Sequence, residues 1–256
     1  KSISKKIYDH KDYLKKISND IRSGRKKSYS NKNYTDVVSI GTGGSFFGIK
    51  AVYESLKNYS SVKIKLHFIS NLDFTENRDL LLKLNPKTTL FIVVSKSFRT
   101  IETIENIKKI KQWLNKSSNK SNIMNNFLAV TENDSEALKL GIHEDNIIKI
   151  WDWLGGRYSI WSGVSIGLII AIGYTNFKKF LKGAEKADQH FSQSKYNKNI
   201  PVIMALISFY YTNYFGAQSH LILPYNFRLR FLQDHIQQLE MESNGKSLDI
   251  HGKSIA

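Results

Sequence analysis

A glycine-rich turn, SIGTGGSFFG at residues 39–48, has the composition of an anion-binding loop. Its glycines, Gly41, Gly43 and Gly44, follow a predicted strand and precede a predicted helix. Glycines there let the main chain approach a ligand closely, and the amides that open a helix attract negative charge. The spacing departs from a dinucleotide fingerprint, because the third glycine is misplaced and no acidic residue ends the second strand. A role in packing alone remains open for this turn.

The stretch SKSFRTIET, residues 95–103, places four hydroxyl side chains beside a lysine and an arginine. Each hydroxyl can donate a hydrogen bond to an oxyanion, and the helix that follows adds the attraction of its dipole. A single Ser or Thr would be enough to cap that helix, so this many hydroxyls exceed the needs of capping. The pattern indicates a phosphate cradle at the carboxyl ends of strands, where α/β sheets place their ligands.

Two later stretches, WDWLGGRYSIWS at 151–162 and QQLEMESNGK at 237–246, supply a cation and a carboxylate. The guanidinium of Arg157 stays charged and could stabilise a developing oxyanion, although an aromatic core turn with a surface arginine is the structural alternative. Glu242 precedes Gly245, which suits the position after a last helical turn. Nothing in the second stretch alone separates a solvated helix charge from a working acid.

Apolar runs of strand length alternate with helical patterns over the first 151 residues, which predicts a doubly wound α/β domain. The runs are continuous and β-branched, as expected for parallel strands that are covered on both faces. The predicted strands are 36–41, 63–69, 89–95, 126–131 and 146–151, and the predicted helices are 4–17, 45–56, 76–84, 100–114 and 135–140.

Beyond Trp151 the pattern changes to long helices, which we interpret as trailing helices followed by the opening of a second α/β unit. The predicted elements are helices 159–174 and 176–191, a polar linker 192–199, helix 202–215, strand 219–225 and helix 226–242. A single strand has no sheet to join. The predicted organisation is an N-terminal helical segment (1–35), a first domain (36–192), and a linker with the incomplete start of a second domain (193–256).

The composition favours a globular protein of a reducing compartment. The chain has 256 residues, 41% of them hydrophobic, and no cysteine, which excludes disulfides and thiolate metal sites. Its longest apolar run, at 164–174, is too short to cross a bilayer, and no signal peptide is recognisable, so we expect a cytoplasmic location. The formal charge of +16 would suit nucleic acid or an anionic membrane, but the lysines are scattered. We therefore expect neither as a partner.

Taken together, these stretches resemble the phosphoglucose isomerase family. The matching blocks are IGTGGSFFG, SKSFRTIET, WDWLGGRYSIWSGVSIGL, NFKKFLKGAEKADQHF and FLQDHIQQLEMESNGK, in the family's order. The resemblance implies a sugar-isomerase (SIS) type three-layer α/β/α sandwich with a five-stranded parallel sheet, plus the start of a second such domain. It further implies a homodimer that needs no metal and no cofactor.

The resemblance also implies an aldose–ketose isomerase of glycolysis and gluconeogenesis that interconverts glucose 6-phosphate and fructose 6-phosphate through a cis-enediol. Glu242 would be the catalytic base that moves a proton between carbons 1 and 2, and Arg157 would stabilise the enediolate. The implied substrate-binding residues are Gly44, Ser45, Ser95, Lys96, Ser97, Thr100, Gly156 and Gln238.

One expectation concerns segments of the family that this sequence does not contain. The family's ring-opening histidine loop and its late lysine-bearing helix have no counterpart up to Ala256, so we expect a segment of a longer isomerase, cut at both ends.

The alternative function is an SIS module that binds a sugar phosphate without catalysis. Glu242 separates the two, because a sensor needs the phosphate cradle but no carboxylate at the first two sugar carbons.

Overall fold

In the computed structural model, which describes residues 3–117 and 122–255, five strands form one parallel sheet. The strands are β1 (Asp36–Ile40), β2 (Lys65–Ile69), β3 (Thr89–Val94), β4 (Phe127–Thr131) and β5 (Ile147–Lys149). Their order across the sheet is β2-β1-β3-β4-β5, and every pair is parallel. The predicted five-stranded parallel sheet is confirmed.

The described residues also form nine α-helices. They are α1 (Ile3–Arg22), α2 (Phe47–Ser55), α3 (Phe74–Leu82), α4 (Ile101–Ser117), α5 (Asp134–Lys139), α6 (Ile166–Ile172), α7 (Tyr174–Gln193), α8 (Ile200–Phe215) and α9 (Leu232–Gln237). A π-helix, Gln238–Asn244, continues directly from α9. Short 3₁₀ turns lie at Gly43–Ser45, Lys57–Tyr59, Ile123–Asn126, Glu144–Asn146, Gly156–Trp161, Gly163–Ser165, Tyr196–Lys198 and Phe227–Leu229.

The sheet is buried on both faces, which explains why its strands read as continuous apolar runs. In β3, Leu90, Ile92 and Val94 pack into the core cluster beneath α1, α2, α6 and α7. Phe91 and Val93 point to the opposite face, where α4 and α5 contribute the core and α3 packs against it. The result is the predicted three-layer α/β/α sandwich.

Helix α1 is longer than the predicted 4–17 and belongs to the same core. It buries Leu14, Ile17 and Ile21 in the core cluster that also contains side chains of α2, α6 and α7. At its end, Arg22 donates hydrogen bonds to the carbonyls of Ile170 and Ala171 at 2.5 and 3.0 Å. A cation at the last carbonyls of a helix satisfies acceptors that have no partner within the helix, so α1 also caps α6.

The predicted continuous helix at 159–174 is wrong. Two 3₁₀ turns precede α6, because Ser162 has extended backbone (φ −118°, ψ −167°) and accepts a hydrogen bond from the amide of Val164. Gly173, at φ 82°, then separates α6 from α7. Glycine enters this left-handed region without the steric cost that a Cβ would add, so the chain turns sharply there.

The C-terminal part differs from prediction in two places. No strand forms at 219–225, and among the described residues no second sheet exists for it to join, so its backbone has no ladder partner. The predicted helix 226–242 is broken into a 3₁₀ turn, α9 and the π-helix. The amphipathic pattern indicated a helix but carried no signal for the wider π turn.

Helix α8 presents apolar side chains to solvent along its length. Met204, Phe209 and Tyr214 are examples, with 61%, 58% and 71% of their surfaces exposed. No helix in the described part of the chain is long and apolar enough to span a bilayer.

His10 joins α1 to an aromatic cluster that follows β5. Its ring centre lies 4.9 Å from that of Trp151, which stacks on Trp153 at 4.7 Å. A Cβ at Gly163 would lie 2.8 Å from the imidazole Nε2, so the ring is packed against main chain. Burial lowers the pKa of His10 from 6.5 to about 4.

This packing predicts a stability that depends on pH. Between about pH 6.5 and 4 the unfolded chain binds a proton at His10 that the folded chain does not, so the free energy of unfolding falls as the pH is lowered. The loss attributable to His10 is up to about 3 kcal/mol, at roughly 1.4 kcal/mol per pH unit. Urea unfolding of wild type and His10→Gln at pH 7 and 4.5 measures it, and the variant should have the smaller difference.

The exposed histidine His251 provides the control for that measurement. His251→Gln should keep the wild-type difference between the two pH values. Burial also lowers the pKa of His235, so part of the wild-type pH dependence should survive in His10→Gln. Identical pH dependence in wild type and His10→Gln would show that the imidazole of His10 is not held in its neutral form by the fold.

Candidate active site

A cavity of about 570 Å³ lies at the carboxyl ends of β1, β3 and β4. Its lining residues are Thr42, Gly43, Gly44, Ser45, Phe47, Val94, Ser95, Lys96, Ser97, Thr100, Thr103, Glu132, Gly156 and Glu242. Eight of the ten predicted site residues are in this set, so the cavity brings together four stretches that are far apart in the sequence.

The hydroxyl cluster after β3 forms a compact turn at one side of the cavity. Ser95 is buried, its Oγ accepts a hydrogen bond from the amide of Phe98 at 3.1 Å, and it lies 3.4 Å from Thr100 Oγ1. Ser97 Oγ accepts from the amide of Arg99 at 3.3 Å. Helix α4 begins immediately afterwards, and the first amides of a helix have no partner within it. Hydroxyls and helix amides therefore face the same space, as an oxyanion site requires.

Phe98 holds this turn in an unusual backbone conformation. Its φ is 56°, in the left-handed region that costs energy for a bulky residue, and its side chain is 1% exposed. The ring packs in the core cluster with Ile107 and Val93. Burial of the ring thus offsets the backbone strain and directs the neighbouring hydroxyls outward.

Phe98→Ala should therefore destabilise the protein strongly. Removing a buried phenylalanine ring costs about 3–5 kcal/mol of unfolding free energy through lost apolar contact and the cavity left behind. Denaturant unfolding measures the loss. The nearby Ile101, 71% exposed, gives a matched control: Ile101→Ala should change the same quantity by no more than about 0.5 kcal/mol. Equal effects from the two variants would contradict an anchoring role for Phe98.

The glycine turn packs against the turn that precedes Arg157, main chain against main chain. A Cβ at Gly44 would overlap the carbonyl group of Gly156 and would lie 2.9 Å from its Cα. Ser159 Oγ donates to the Gly156 carbonyl at 2.7 Å and lies 3.4 Å from the Gly44 carbonyl. Only glycine at position 44 permits this approach, so the close packing suggested for the turn is present and brings a second loop to the cavity.

Glu242 meets the glycine turn from the opposite side. It lies in the π-helix, and its two carboxylate oxygens are 3.4 and 3.5 Å from the place that a Cβ on Gly43 would occupy. The side chain is exposed to the cavity. Single π turns inside α-helices are frequent at functional sites because they redirect side chains. The carboxylate and the hydroxyl cluster thus border one cavity.

Arg157 and Gln238 do not line the cavity, but both contact the residue after Glu242. Arg157 Nη1 donates to the carbonyl of Ser243 at 3.4 Å, and Gln238 Nε2 donates to Ser243 Oγ at 3.1 Å. Gln238 is 5% exposed, and its Oε1 is buried without a hydrogen-bond partner among the described residues. The two side chains therefore support the turn that carries Glu242.

The comparison with known families decides where the chain belongs. The model of the family described as "PGI: Phosphoglucose isomerase" matches residues 1–256. The chain belongs to the phosphoglucose isomerase family. The resemblance read from the five sequence blocks is confirmed.

Relatives that carry the name glucose-6-phosphate isomerase match most of this phosphoglucose isomerase family chain. The glucose-6-phosphate isomerase of Coxiella burnetii (strain Dugway 5J108-111) is 44% identical over 94% of this chain and 44% of its own length. That of Pseudomonas fluorescens is 44% identical over 92% of this chain and 43% of its own length. The chain thus spans less than half the length of these relatives.

Solved structures match the fold as well. The crystal structure of a glucose-6-phosphate isomerase from Chlamydia trachomatis D/UW-3/Cx superposes with a TM-score of 0.85 at 29% identity, covering 100% of this chain and 48% of that one. The hypothetical protein TT0462 from Thermus thermophilus gives a TM-score of 0.76 at 26% identity, covering 94% of this chain and 55% of that one. The sugar-isomerase type of sandwich is confirmed.

Lys96 is a predicted binding residue, but its ammonium group contacts other residues of the protein. Its Nζ donates to the carbonyls of Asp152 and Leu154, the latter at 3.3 Å, and lies 3.6 Å from Glu132 Oε2. Lys96 therefore ties the hydroxyl turn to the segment that leads into Gly156. Its binding role stays a prediction.

Several residues that line the cavity were not among the sequence predictions. Glu132 is the charged residue among them. It directly follows β4, and its Oε2 is buried without a hydrogen bond in the described structure. The signal available in the sequence was its place after a strand, since side chains at that edge of a parallel sheet meet at the ligand site. Thr42, Thr103 and Phe47 were also missed. Within residues 3–117 and 122–255, no group of three or more His, Asp or Glu could hold a metal ion.

Proposed function

We propose that the protein is an aldose–ketose isomerase that interconverts glucose 6-phosphate and fructose 6-phosphate. One observation carries the proposal: the carboxylate of Glu242 borders the same cavity as the hydroxyls of Ser95, Ser97 and Thr100. A phosphate on those hydroxyls would fix one end of the sugar and leave its other end within the cavity. The curated relatives are named glucose-6-phosphate isomerases, which supports the choice of substrate.

The chemistry requires one group that takes a proton from the carbon next to a carbonyl and returns it to the neighbouring carbon. A carboxylate held in place can do both. Glu242 removes the proton from carbon 2 of the open-chain aldose, which gives an enediolate, and protonation at carbon 1 then gives the ketose. The reverse direction uses the same steps, and no electron acceptor is needed because the oxidation and reduction occur within one substrate.

The enediolate carries a negative charge that a fixed cation would stabilise. Arg157 is the proposed cation, and its Nη1 donates to the carbonyl of Ser243, the residue after Glu242, at 3.4 Å. Lys246 Nζ donates to the same carbonyl at 2.9 Å. A preorganised donor of this kind contributes on the order of 10²–10³ in rate. The remaining proposed contacts to substrate are the turns at Gly44, Ser45 and Gly156, with Lys96 and Gln238 beside them.

The wider proposals follow the family. We propose that the enzyme works as a homodimer in the cytoplasm, that residues 36–192 form its first sugar-isomerase domain after the N-terminal segment 1–35, and that 193–256 open the second. The exposed apolar face of α8 supports the last point, because an exposed apolar face of that extent normally packs against further protein.

An isotope experiment tests the proposed reaction. Fructose 6-phosphate is incubated in D₂O with the protein expressed from its complete reading frame, and glucose 6-phosphate is followed with a coupled dehydrogenase. Deuterium should appear at carbon 2 of the product, since an enediol intermediate takes a proton from the base there. Saturable binding of fructose 6-phosphate with no product and no exchange would instead support the binding module.

A further inference from the structure

Helix α2 and the segment 226–244 run side by side in opposite directions. At the C-terminal end of α2, Ser55 Oγ donates to the carbonyl of Arg228 at 2.9 Å. Near the start of α2, a Cβ at Gly48 would lie 3.0 Å from the ring of His235. Further along in the same direction Gly43 meets Glu242, so the whole segment keeps one register against the helix and the glycine turn.

Arg230 is the most highly connected residue of this contact. Its Nη2 lies 2.5 Å from Glu54 Oε2, and the two side chains are 36% and 13% exposed. The guanidinium carbon lies 4.1 Å from the ring centre of Phe227 and 4.8 Å from that of Phe231. Rings on the guanidinium restrict its motion, so this pair is more rigid than an ion pair between two free surface side chains.

A second cation fixes the same segment. The ammonium of Lys50 lies 5.0 Å from the ring centre of Phe46 on α2's own side and 4.7 Å from that of Phe231 on the segment. The Glu54–Arg230 pair and the Lys50 contact are therefore adjacent along α2. None of these residues lines the cavity that holds Glu242.

A shift of one residue in the register between α2 and the segment 226–244 would displace every side chain at their contact. One residue of slip moves a helical side chain about 1.5 Å along the axis and rotates it by roughly a quarter turn. A misplacement of about 1 Å at a reacting group can reduce a rate by about 10²-fold. The register between α2 and the segment thus controls where the carboxylate meets substrate.

We infer that Glu54 and Arg230 are positioning residues that hold the Glu242 carboxylate over the glycine turn. The inference rests on the proposed function, since it concerns the base of that reaction. Neither residue touches the cavity, so their loss should act on the chemical step and leave binding of the phosphate to Ser95, Ser97 and Thr100 in place.

Kinetics give the first test, on the protein from its complete reading frame. Glu54→Gln and Arg230→Gln should each lower kcat about 10- to 100-fold with little change in KM, as expected when the base but not the binding site is displaced. The double exchange Glu54→Arg with Arg230→Glu should recover a large part of kcat. Glu105→Gln is the matched control, because it breaks the exposed Lys108–Glu105 pair on α4 and should leave kcat unchanged.

A distance measurement gives a second test that does not depend on activity. Residues 1–256 contain no cysteine. With any cysteine encoded elsewhere in the reading frame replaced by serine, Glu102→Cys on α4 and Met241→Cys in the π-helix, both exposed, can be spin-labelled without background. In samples diluted with unlabelled protein, so that the proposed homodimer carries labels on one subunit, the distance between labels should have one narrow distribution in the otherwise wild-type protein. The distribution should be broader or shifted with Glu54→Gln. Arg230→Gln adds a second variant if either single change prevents folding.

The two tests separate the inference from the proposed function. Unchanged kcat and an unchanged label distribution in both single variants would overturn the inference, even in a fully active isomerase. If the wild-type protein lacked isomerase activity, the proposed function would fail. The distance distributions would then still decide whether the pair positions Glu242.

Discussion

Glu242→Gln is expected to reduce kcat for fructose 6-phosphate by about 10³–10⁴-fold, the upper part of the range for a lost general base. Glutamine keeps the size of the side chain and its place against Gly43, but its amide cannot accept the proton that leaves the substrate carbon. The KM should stay within about threefold of the wild-type value, because the phosphate contacts lie elsewhere in the cavity. Steady-state kinetics with the coupled dehydrogenase measure both constants.

Glu240 supplies the control for that experiment. It lies in the same π-helix, it is exposed, and its carboxylate accepts a 3.4 Å hydrogen bond from Asn244. Glu240→Gln removes the same charge from the same short helix without touching the cavity, so kcat should stay near the wild-type value. A Glu242→Gln enzyme as active as Glu240→Gln would assign the proton transfer to another group.

Gly44→Ala is expected to lower kcat/KM by at least about 10²-fold, because a displacement of reacting groups by about 1 Å has an effect of that size. The new methyl group would overlap the Gly156 carbonyl, and no side-chain rotation can relieve a clash with main chain. The turn that carries Ser45 and the turn that leads to Arg157 must then separate. Both the proposed cation and the proposed binding turn would move.

The matching substitution elsewhere is Gly183→Ala in α7. Apart from its chain neighbours and the backbone of its own helix, no atom of the described residues lies within 4 Å of a Cβ at that position, and the residue is inside a helix. This variant should keep wild-type activity and gain up to about 1 kcal/mol in unfolding free energy from the better helix propensity of alanine. Wild-type kcat/KM in Gly44→Ala would show that the contact between the two turns is not needed for the reaction.

The sheet could be predicted from sequence because its strands are buried on both sides. Every residue of β3 is buried, so selection for apolar, β-branched residues acts on each position and leaves a continuous run. The cavity could be predicted in part for a related reason: hydroxyls, glycines and a carboxylate in ordered blocks have few structural uses. Ser95 and Thr100 were found because their number exceeded what a helix cap needs.

Other features depend on contacts between distant parts of the chain and left no local signal. β1 and β5 are not neighbours in the sheet, so the approach of Gly44 to Gly156 depends on the path of residues 150–155, which bring the chain back from β5 to the turn after β1. The direction of the Lys96 side chain depends on two carbonyls beyond β5. The residues 219–225 have the composition of a strand, but a strand exists only where another strand pairs with it.

The His10–Trp151 contact also links the tryptophan fluorescence of the loop around Arg157 to the protonation of a histidine. Three of the four tryptophans, Trp151, Trp153 and Trp161, lie within eleven positions around Arg157. Two of them stack on each other, and the third stacks on Phe180 at 4.9 Å. The tryptophan emission and near-ultraviolet circular dichroism of residues 1–256 therefore report mainly on this loop, and protonation of the neighbouring imidazole should quench part of the emission. The protein carries its own optical probe at the place where its proposed enediolate charge is balanced.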